Sequence, residues 1–200
     1  MHNVCAIYAA FMAEPSRVHL DAESLKVLAH PLRARLLGLL RLDGPATATG
    51  LAGRLGTNSG ATSYHLRKLA SVGLVAELPE EGDGRDRWWR AAHDMTSWNE
   101  RPFTDDPDTA QAAEWLAGFG LRMSVRRLED WMEARSDWDA EWRDASDMSD
   151  YMLELTPAEA AGLAEELHSV IQRHVPAPGA RAGTRQIIVQ LQLFPRVDRP

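Results

Sequence analysis

Residues 57–74, TNSGATSYHLRKLASVGL, constrain the chain more than any other stretch. Asn58 or Ser59 can cap a helix start, because a short polar side chain accepts hydrogen bonds from otherwise orphaned backbone N–H groups. Leu66, Leu69 and Val72 then follow at spacings of three, with Thr62 four residues before Leu66, so one narrow apolar stripe runs down one face. The opposite face carries Ser59, Ser63, Tyr64, Arg67 and Lys68. Gly73 stops the helix, since glycine adopts the left-handed geometry of a helix end without strain. A short helix with hydrogen-bond donors and cations on its free face suits a DNA major groove. An amphipathic surface helix with no ligand would show the same stripe.

Charge separates these two readings. Residues 44–76 contain no Asp or Glu, although the chain holds 29 acids in 200 residues. A surface that must approach phosphates gains from the removal of carboxylates. The net charge of −7 argues against a nonspecific nucleic-acid coat, but it is unevenly placed. Residues 21–92 carry a net +2 and residues 93–200 a net −9. A near-neutral to basic front joined to an acidic back fits one part facing DNA and another facing solvent or a partner.

The neighbouring segments predict a domain around this helix. Asp21 caps a short helix to Leu28, and Pro31, which follows His30, is well placed as the first residue of the next. That helix is expected to turn Leu32, Leu36, Leu39 and Leu40 inward. After the turn Asp43-Gly44-Pro45, Thr47 caps a third helix over 48–55 that buries Leu51 and Leu55, and Gly56 ends it. Two short helices joined by a Gly-containing turn make a helix-turn-helix. Beyond Gly73, residues 74–78 and 85–90 read as two strands around a Gly-rich tip, a hairpin in the position of a wing. Arg85 and Arg87 are the candidates there for a phosphate contact. Trp88 and Trp89 point to opposite faces, which predicts one in the core and one exposed or interfacial.

The segments LAHPLRARLLGLL, SYHLRKL and the following GLV closely resemble the ArsR-type winged-helix bacterial repressors, over about residues 21–92. The resemblance implies that Asn58, Ser59, Gly60 and Ala61 open a recognition helix. It places Ser63, Tyr64, His65, Arg67 and Lys68 at or near DNA. The metal-sensing members of that family use paired cysteines before the recognition helix, or Asp, His and Glu sets in the last helix. Here the first place reads Gly50-Leu51-Ala52-Gly53-Arg54, and the C-terminal region offers only His168 and His174. Metal sensing therefore does not carry over, and neither a metal nor a cofactor is expected.

Residues 93–107 read as a polar linker and 108–136 as a long helix, with Trp115, Leu116, Phe119, Val125, Leu128 and Met132 at threes and fours. Gly118 and Gly120 weaken it by roughly 1 kcal/mol each relative to alanine, and weak interiors often mark close packing against another helix. The resemblance places a dimerising helix here, with Trp115, Phe119, Leu128 and Met132 as its contact stripe. Alternation predicts strands at 151–155 and from 187 to 193. Between them Thr156, Pro157 and Glu159 form a complete capping-box signal for a helix to about His174.

The expected fold class is α+β: an N-terminal winged helix-turn-helix, a long dimerisation helix, and a small strand–helix–strand unit. The expected division is a loose leader at 1–20, the DNA-binding domain at 21–92, the linker at 93–107 and a dimerisation or effector region at 108–200. Cys5 is the only cysteine, which excludes an intrachain disulfide, and no apolar run approaches a membrane span. The expected function is a cytoplasmic, homodimeric regulator of transcription, most simply a repressor, bound to double-stranded DNA at a palindromic operator. Its effector, where it has one, would be an apolar organic molecule or a protein; Trp115, Trp131, Trp138 and Trp142 could build a pocket for the former, although plain packing explains these tryptophans as well. Two alternatives remain. One is a winged helix used only for protein association; the other is an enzyme such as a winged-helix methyltransferase. Residues 93–200 lack the Gly-rich strand–helix turn that a cofactor domain needs, so no enzymatic activity is expected.

Overall fold

The computed structural model describes residues 17–78, 87–93, 95–97, 106–174 and 183–197. The chain divides into two compact units, Pro15–Leu121 and a second that contains Arg122–Pro200.

The first unit contains β1 (Arg17–His19), α1 (Ala22–Leu28), α2 (Pro31–Leu42), β2 (Ala46–Thr47), α3 (Ala48–Leu55) and α4 (Ser59–Ala70). It continues with β3 (Val75–Leu78), β4 (Trp88–Ala91), β5 (Met95–Ser97) and the start of α5 (Pro107–Ala134). Its helix ends are set by the expected residues. The Asp21 carboxylate accepts from the Ser24 N–H at 2.8 Å, and the Thr47 hydroxyl accepts from the Gly50 N–H at 3.1 Å. At the start of α2 Pro31 takes the expected first helical position, and His30 Nδ1, a cap the sequence reading did not include, accepts from the Leu32 N–H at 3.2 Å. Gly56 and Gly73 end α3 and the α4 turn at φ of 63° and 72°, a region that disfavours any Cβ.

The core of this unit is leucine. Leu20, Leu25, Leu36, Leu51, Leu66, Leu69 and Leu74 are completely buried. The inward face of α2 differs from expectation: Leu36, Leu37 and Leu40 are buried, while Leu32 and Leu39 are half-buried. Helix α2 packs against both α4 and β4, so its buried arc is wider than the stripe that one neighbour would select.

The hairpin forms as expected. Strands β3 and β4 are antiparallel, pairing Val75 with Ala91 and Leu78 with Trp88, and β2 adds to the other side of β4. Trp89 is buried and Trp88 half-buried, as the alternation required. The loop 79–86 lies outside the described residues.

Two short strands were not legible in sequence. β1 pairs in parallel with β5, and the Leu20 N–H donates to the Ser97 carbonyl at 2.8 Å. Residues 17–20 and 95–97 therefore join the packed unit, where a loose leader and a linker were expected. Helix α5 starts under a compact cap. The Asp106 carboxylate accepts from the Thr109 hydroxyl, from the Asp108 N–H at 3.2 Å and from Lys26 Nζ at 3.0 Å. These bonds, Thr109 first, hold the Asp106 carboxyl down to about 2. Helix α5 then buries Thr109, Ala112, Ala113 and Leu116.

The second unit holds the rest of α5, a 3-10 turn (Arg135–Asp137), α6 (Ala140–Asp144) and α7 (Pro157–Arg173). The capping box at Thr156 is complete: the Glu159 N–H donates to the Thr156 hydroxyl at 3.3 Å, and the Thr156 N–H donates to the Glu159 carboxylate at 2.8 Å. The expected strands at 151–155 and 187–193 are a correction. Neither segment belongs to a ladder among the described residues, so no strand–helix–strand sheet is formed. Alternation makes a segment competent to be a strand, but a strand exists only when a partner edge takes up its backbone groups. None of the described residues of this unit is buried, and the apolar residues Leu163, Leu167 and Ile171 of α7 are half-buried.

Candidate nucleic-acid interface

The site is α4 together with the elements that aim it. Asn58 Oδ1 accepts from the Ala61 N–H at 2.8 Å, which fixes Asn58 rather than Ser59 as the cap. The Thr62 hydroxyl, completely buried, donates to the Asn58 carbonyl at 3.1 Å. Thr62, Leu66 and Leu69 are the buried face. Leaving Leu66 and Leu69 in water would forfeit about 1.5–3 kcal/mol each, so they fix the rotation of the helix about its axis. With that rotation set, Asn58, Ser59, Gly60, Tyr64, Arg67 and Lys68 are exposed. Ala61, Ser63 and His65 are half-buried at the flanks.

The electrostatics of this surface are simple. The acid-free run is bounded by Asp43 and Glu77, and both are held by arginines. Arg54 pairs with Asp43, and Arg87 with Glu77 at 3.0 Å. Arg67 and Lys68 make no ion pair among the described residues, so their charge is available to an external anion. Arg87 is largely exposed but engaged. Its surface pair is worth about 0–1 kcal/mol and can yield to a phosphate. Arg85 lies outside the described residues.

His65 does not project freely. Its ring stacks on His30, with centroids 4.5 Å apart, and Tyr64 meets it edge-on at 5.2 Å. Its Nδ1 is enclosed without a partner among the described residues, as is Nε of Arg33. Burial first, then the charges of His30 and Arg33, push the His65 imidazole below its ordinary value. Burial and Arg33 do the same to His30. Both rings are therefore neutral near pH 7 and act as packing between α2 and α4. The sequence reading missed His30 and Arg33 as parts of this site. In sequence only Pro31 of the adjacent pair carries a signal, that of a first helical residue, although His30 brings an imidazole to the start of α2.

The expected dimer stripe is divided. Trp115 and Phe119 stack at 5.1 Å in the first unit, and Trp115 packs against its core. Leu128 and Met132, in the second unit, are about 40 % exposed. An added Cβ at Gly120 would meet nothing within 4 Å, so the close approach read from this glycine is not made among the described residues. The four tryptophans of the expected effector pocket are divided between the two units in the same way. Trp131, Trp138 and Trp142 form an edge-to-face series at 5.8 and 6.4 Å, while Trp115 belongs to the winged unit.

Residues 28–77 match the family described as a helix-turn-helix domain. The fold agrees, so this part of the chain is a winged helix-turn-helix domain. No curated protein matches the chain. Among solved structures, it is similar to a possible transcriptional regulator for arsenical resistance, with 30% identity over 54% of this chain and 94% of that one, at a TM-score of 0.31. It is also similar to Lactococcus lactis ZitR, with 14% identity over 72% of this chain and 83% of that one, at a TM-score of 0.33. A third likeness is to the transcriptional regulator Tm0710 of Thermotoga maritima, with 16% identity over 86% and 90% of the two chains, at a TM-score of 0.31. No helix among the described residues is long and apolar enough to cross a membrane.

Proposed function

We propose that the protein is a sequence-specific DNA-binding regulator of transcription, a homodimeric repressor of the ArsR type. Helix α4 is its recognition helix. Ser59, Ser63, Tyr64, Arg67 and Lys68 meet base edges and phosphates, and Asn58, Gly60 and Ala61 bring the helix start close to the backbone. His65 sets the angle of the helix from below, and Arg85 and Arg87 of the wing touch flanking phosphates. The observation that carries this reading is the exposed, acid-free face of α4 with two unpaired cations, held in a winged helix-turn-helix domain. Each copy would read one half of a palindromic operator, with Phe119, Leu128 and Met132 of α5 at the two-fold contact and Trp115 anchoring that helix. An effector would be an apolar organic molecule or a protein meeting the tryptophans of the second unit, where the groove of about 430 Å³ beside Trp131 and Met148 is lined otherwise by Arg135, Ser136, Arg143 and Ser146.

Selection of random duplexes by the purified protein tests the assignment. Enrichment of a two-fold symmetric sequence is expected. Recovery of duplexes with no common sequence, at an affinity equal to that of the input pool, would overturn it in favour of a protein-association role.

A further inference from the structure

The second unit leaves apolar chain uncovered. Residues 151–155, YMLEL, and 187–193, IIVQLQL, run without regular structure, and their main-chain groups have no hydrogen-bond partner among the described residues. Their side chains are exposed in proportion: Tyr151 80%, Met152 88% and Ile187 63%. Each segment alternates so that one face is apolar, with Tyr151, Leu153 and Leu155 on the first and Ile187, Val189 and Leu193 on the second. An uncharged, proline-free segment such as 187–193 with a free edge is an aggregation hazard that native proteins keep covered.

We infer that a second copy of this chain covers them, with 151–155 of one copy pairing with 187–193 of the other, twice about a two-fold axis. Three observations favour a second copy over an unrelated protein. First, the two segments and the adjoining Phe194 expose on the order of 1,000 Å² of mostly apolar surface per chain, comparable to the ~800 Å² that each partner of a standard interface buries. Second, the flanking charges are complementary. Asp147, Asp150 and Glu154 flank or interrupt the first segment, while Arg185 and Arg196 bracket the second. Pairing either segment with its own copy would bring like charges together. Third, an isologous exchange uses both segments in both copies and leaves neither apolar face open. The segment 183–197 is already tethered beside α5, where Gln190 Nε2 donates to the Ser124 carbonyl at 3.0 Å and Arg185 lies over the Trp138 ring at 5.9 Å. The inference takes its two-fold symmetry from the proposed function but needs no DNA.

Cross-linking and hydrogen exchange test it on the full chain in a Cys5→Ser background. One protein carries Leu153→Cys, and the other carries Ile187→Cys, Val189→Cys or Leu191→Cys. After subunit exchange and mild oxidation, at least one mixture is expected to give disulfide-linked dimers. In the protein without added cysteines, amides of both segments should exchange roughly 100-fold more slowly at concentrations that favour the dimer than on dilution. A bridge that forms only when both cysteines lie in one chain would overturn the inference by showing pairing within the chain. Fast exchange at every concentration with no bridge would overturn it in favour of another partner. Since DNA is absent from both measurements, failure of the DNA-binding reading would leave these results standing.

Discussion

Replacing Arg67 and Lys68 together with alanine tests the interface through a quantity that few other mechanisms would move. Both side chains are exposed on α4 and make no ion pair among the described residues, so each can displace a counterion from DNA. Each phosphate neutralised contributes about 0.9 to the slope of log affinity against log salt. Two cations in each copy of a dimer therefore predict a slope shallower by about 3.6, or by about 1.8 if one copy engages. The substitutions should cost the fold little. Both residues lie in the last turn of α4, where a cation gains about 0.3–1 kcal/mol from the helix dipole, and alanine's helix propensity offsets part of that loss. The assay is fluorescence anisotropy of a labelled duplex between 50 and 300 mM salt, with thermal unfolding as the control for folding. A variant that melts like the unmodified protein and keeps its slope and affinity would refute the assignment of this face to DNA.

Four further outcomes follow from the same geometry. Asn58→Ala should lower stability by about 1 kcal/mol through loss of the cap, whereas Asn58→Asp should hold stability and still weaken DNA binding by placing a carboxylate in the acid-free surface, as paired melting and binding curves would show. His30 and His65 are held below their ordinary value of 6.5, so the unfolded chain binds more protons; their contribution to stability is complete above about pH 6.5 and is lost as pH falls toward the folded values, and the loss in melting temperature from pH 8 to pH 5 should shrink in His65→Gln. Charged replacements at Phe119 and Leu128 should weaken dimerisation in sedimentation at micromolar concentration, leaving only the exchange of 151–155 with 187–193 to hold the copies, and an unchanged dimer affinity would place no contact on α5. Zinc, nickel and arsenite should leave operator affinity unchanged, whereas a hydrophobic ligand in the groove should quench tryptophan fluorescence; metal-dependent release of DNA that a chelator reverses would contradict this.

The winged unit was legible because its information is local. Asp21, Thr47 and Asn58 read as caps, with Ser59 open beside Asn58, and all three accept a backbone N–H. Gly56 and Gly73 end helices through their own positive φ, and the stripe Thr62, Leu66 and Leu69 follows from the helical period alone. What stayed hidden depends on contacts between distant residues. The ladder of β1 with β5 joins residues nearly 80 positions apart through strands too short for a periodic signal. The His30–His65 stack is similar: one ring caps α2, the other flanks α4, and only the packing of those helices brings them to 4.5 Å. Arg33 falls off the inward stripe expected of α2, because the helical period gives its angle but not the width of the neighbour that encloses its Nε.

The second unit shows where periodic patterns stop being informative. A helix satisfies its own backbone, so the capping box at Thr156 and the apolar spacing beyond it suffice to place α7. A strand does not, and the alternation at 151–155 and 187–193 records which face would be buried without recording against what. The exposed apolar residues of these segments then acquire a second meaning. In a unit that buries none of its described residues, they cannot be explained as core that the sequence pattern misplaced. The pattern read as an internal sheet is as well explained by the proposed sheet shared between copies, which would give each alternating segment the partner edge it lacks among the described residues.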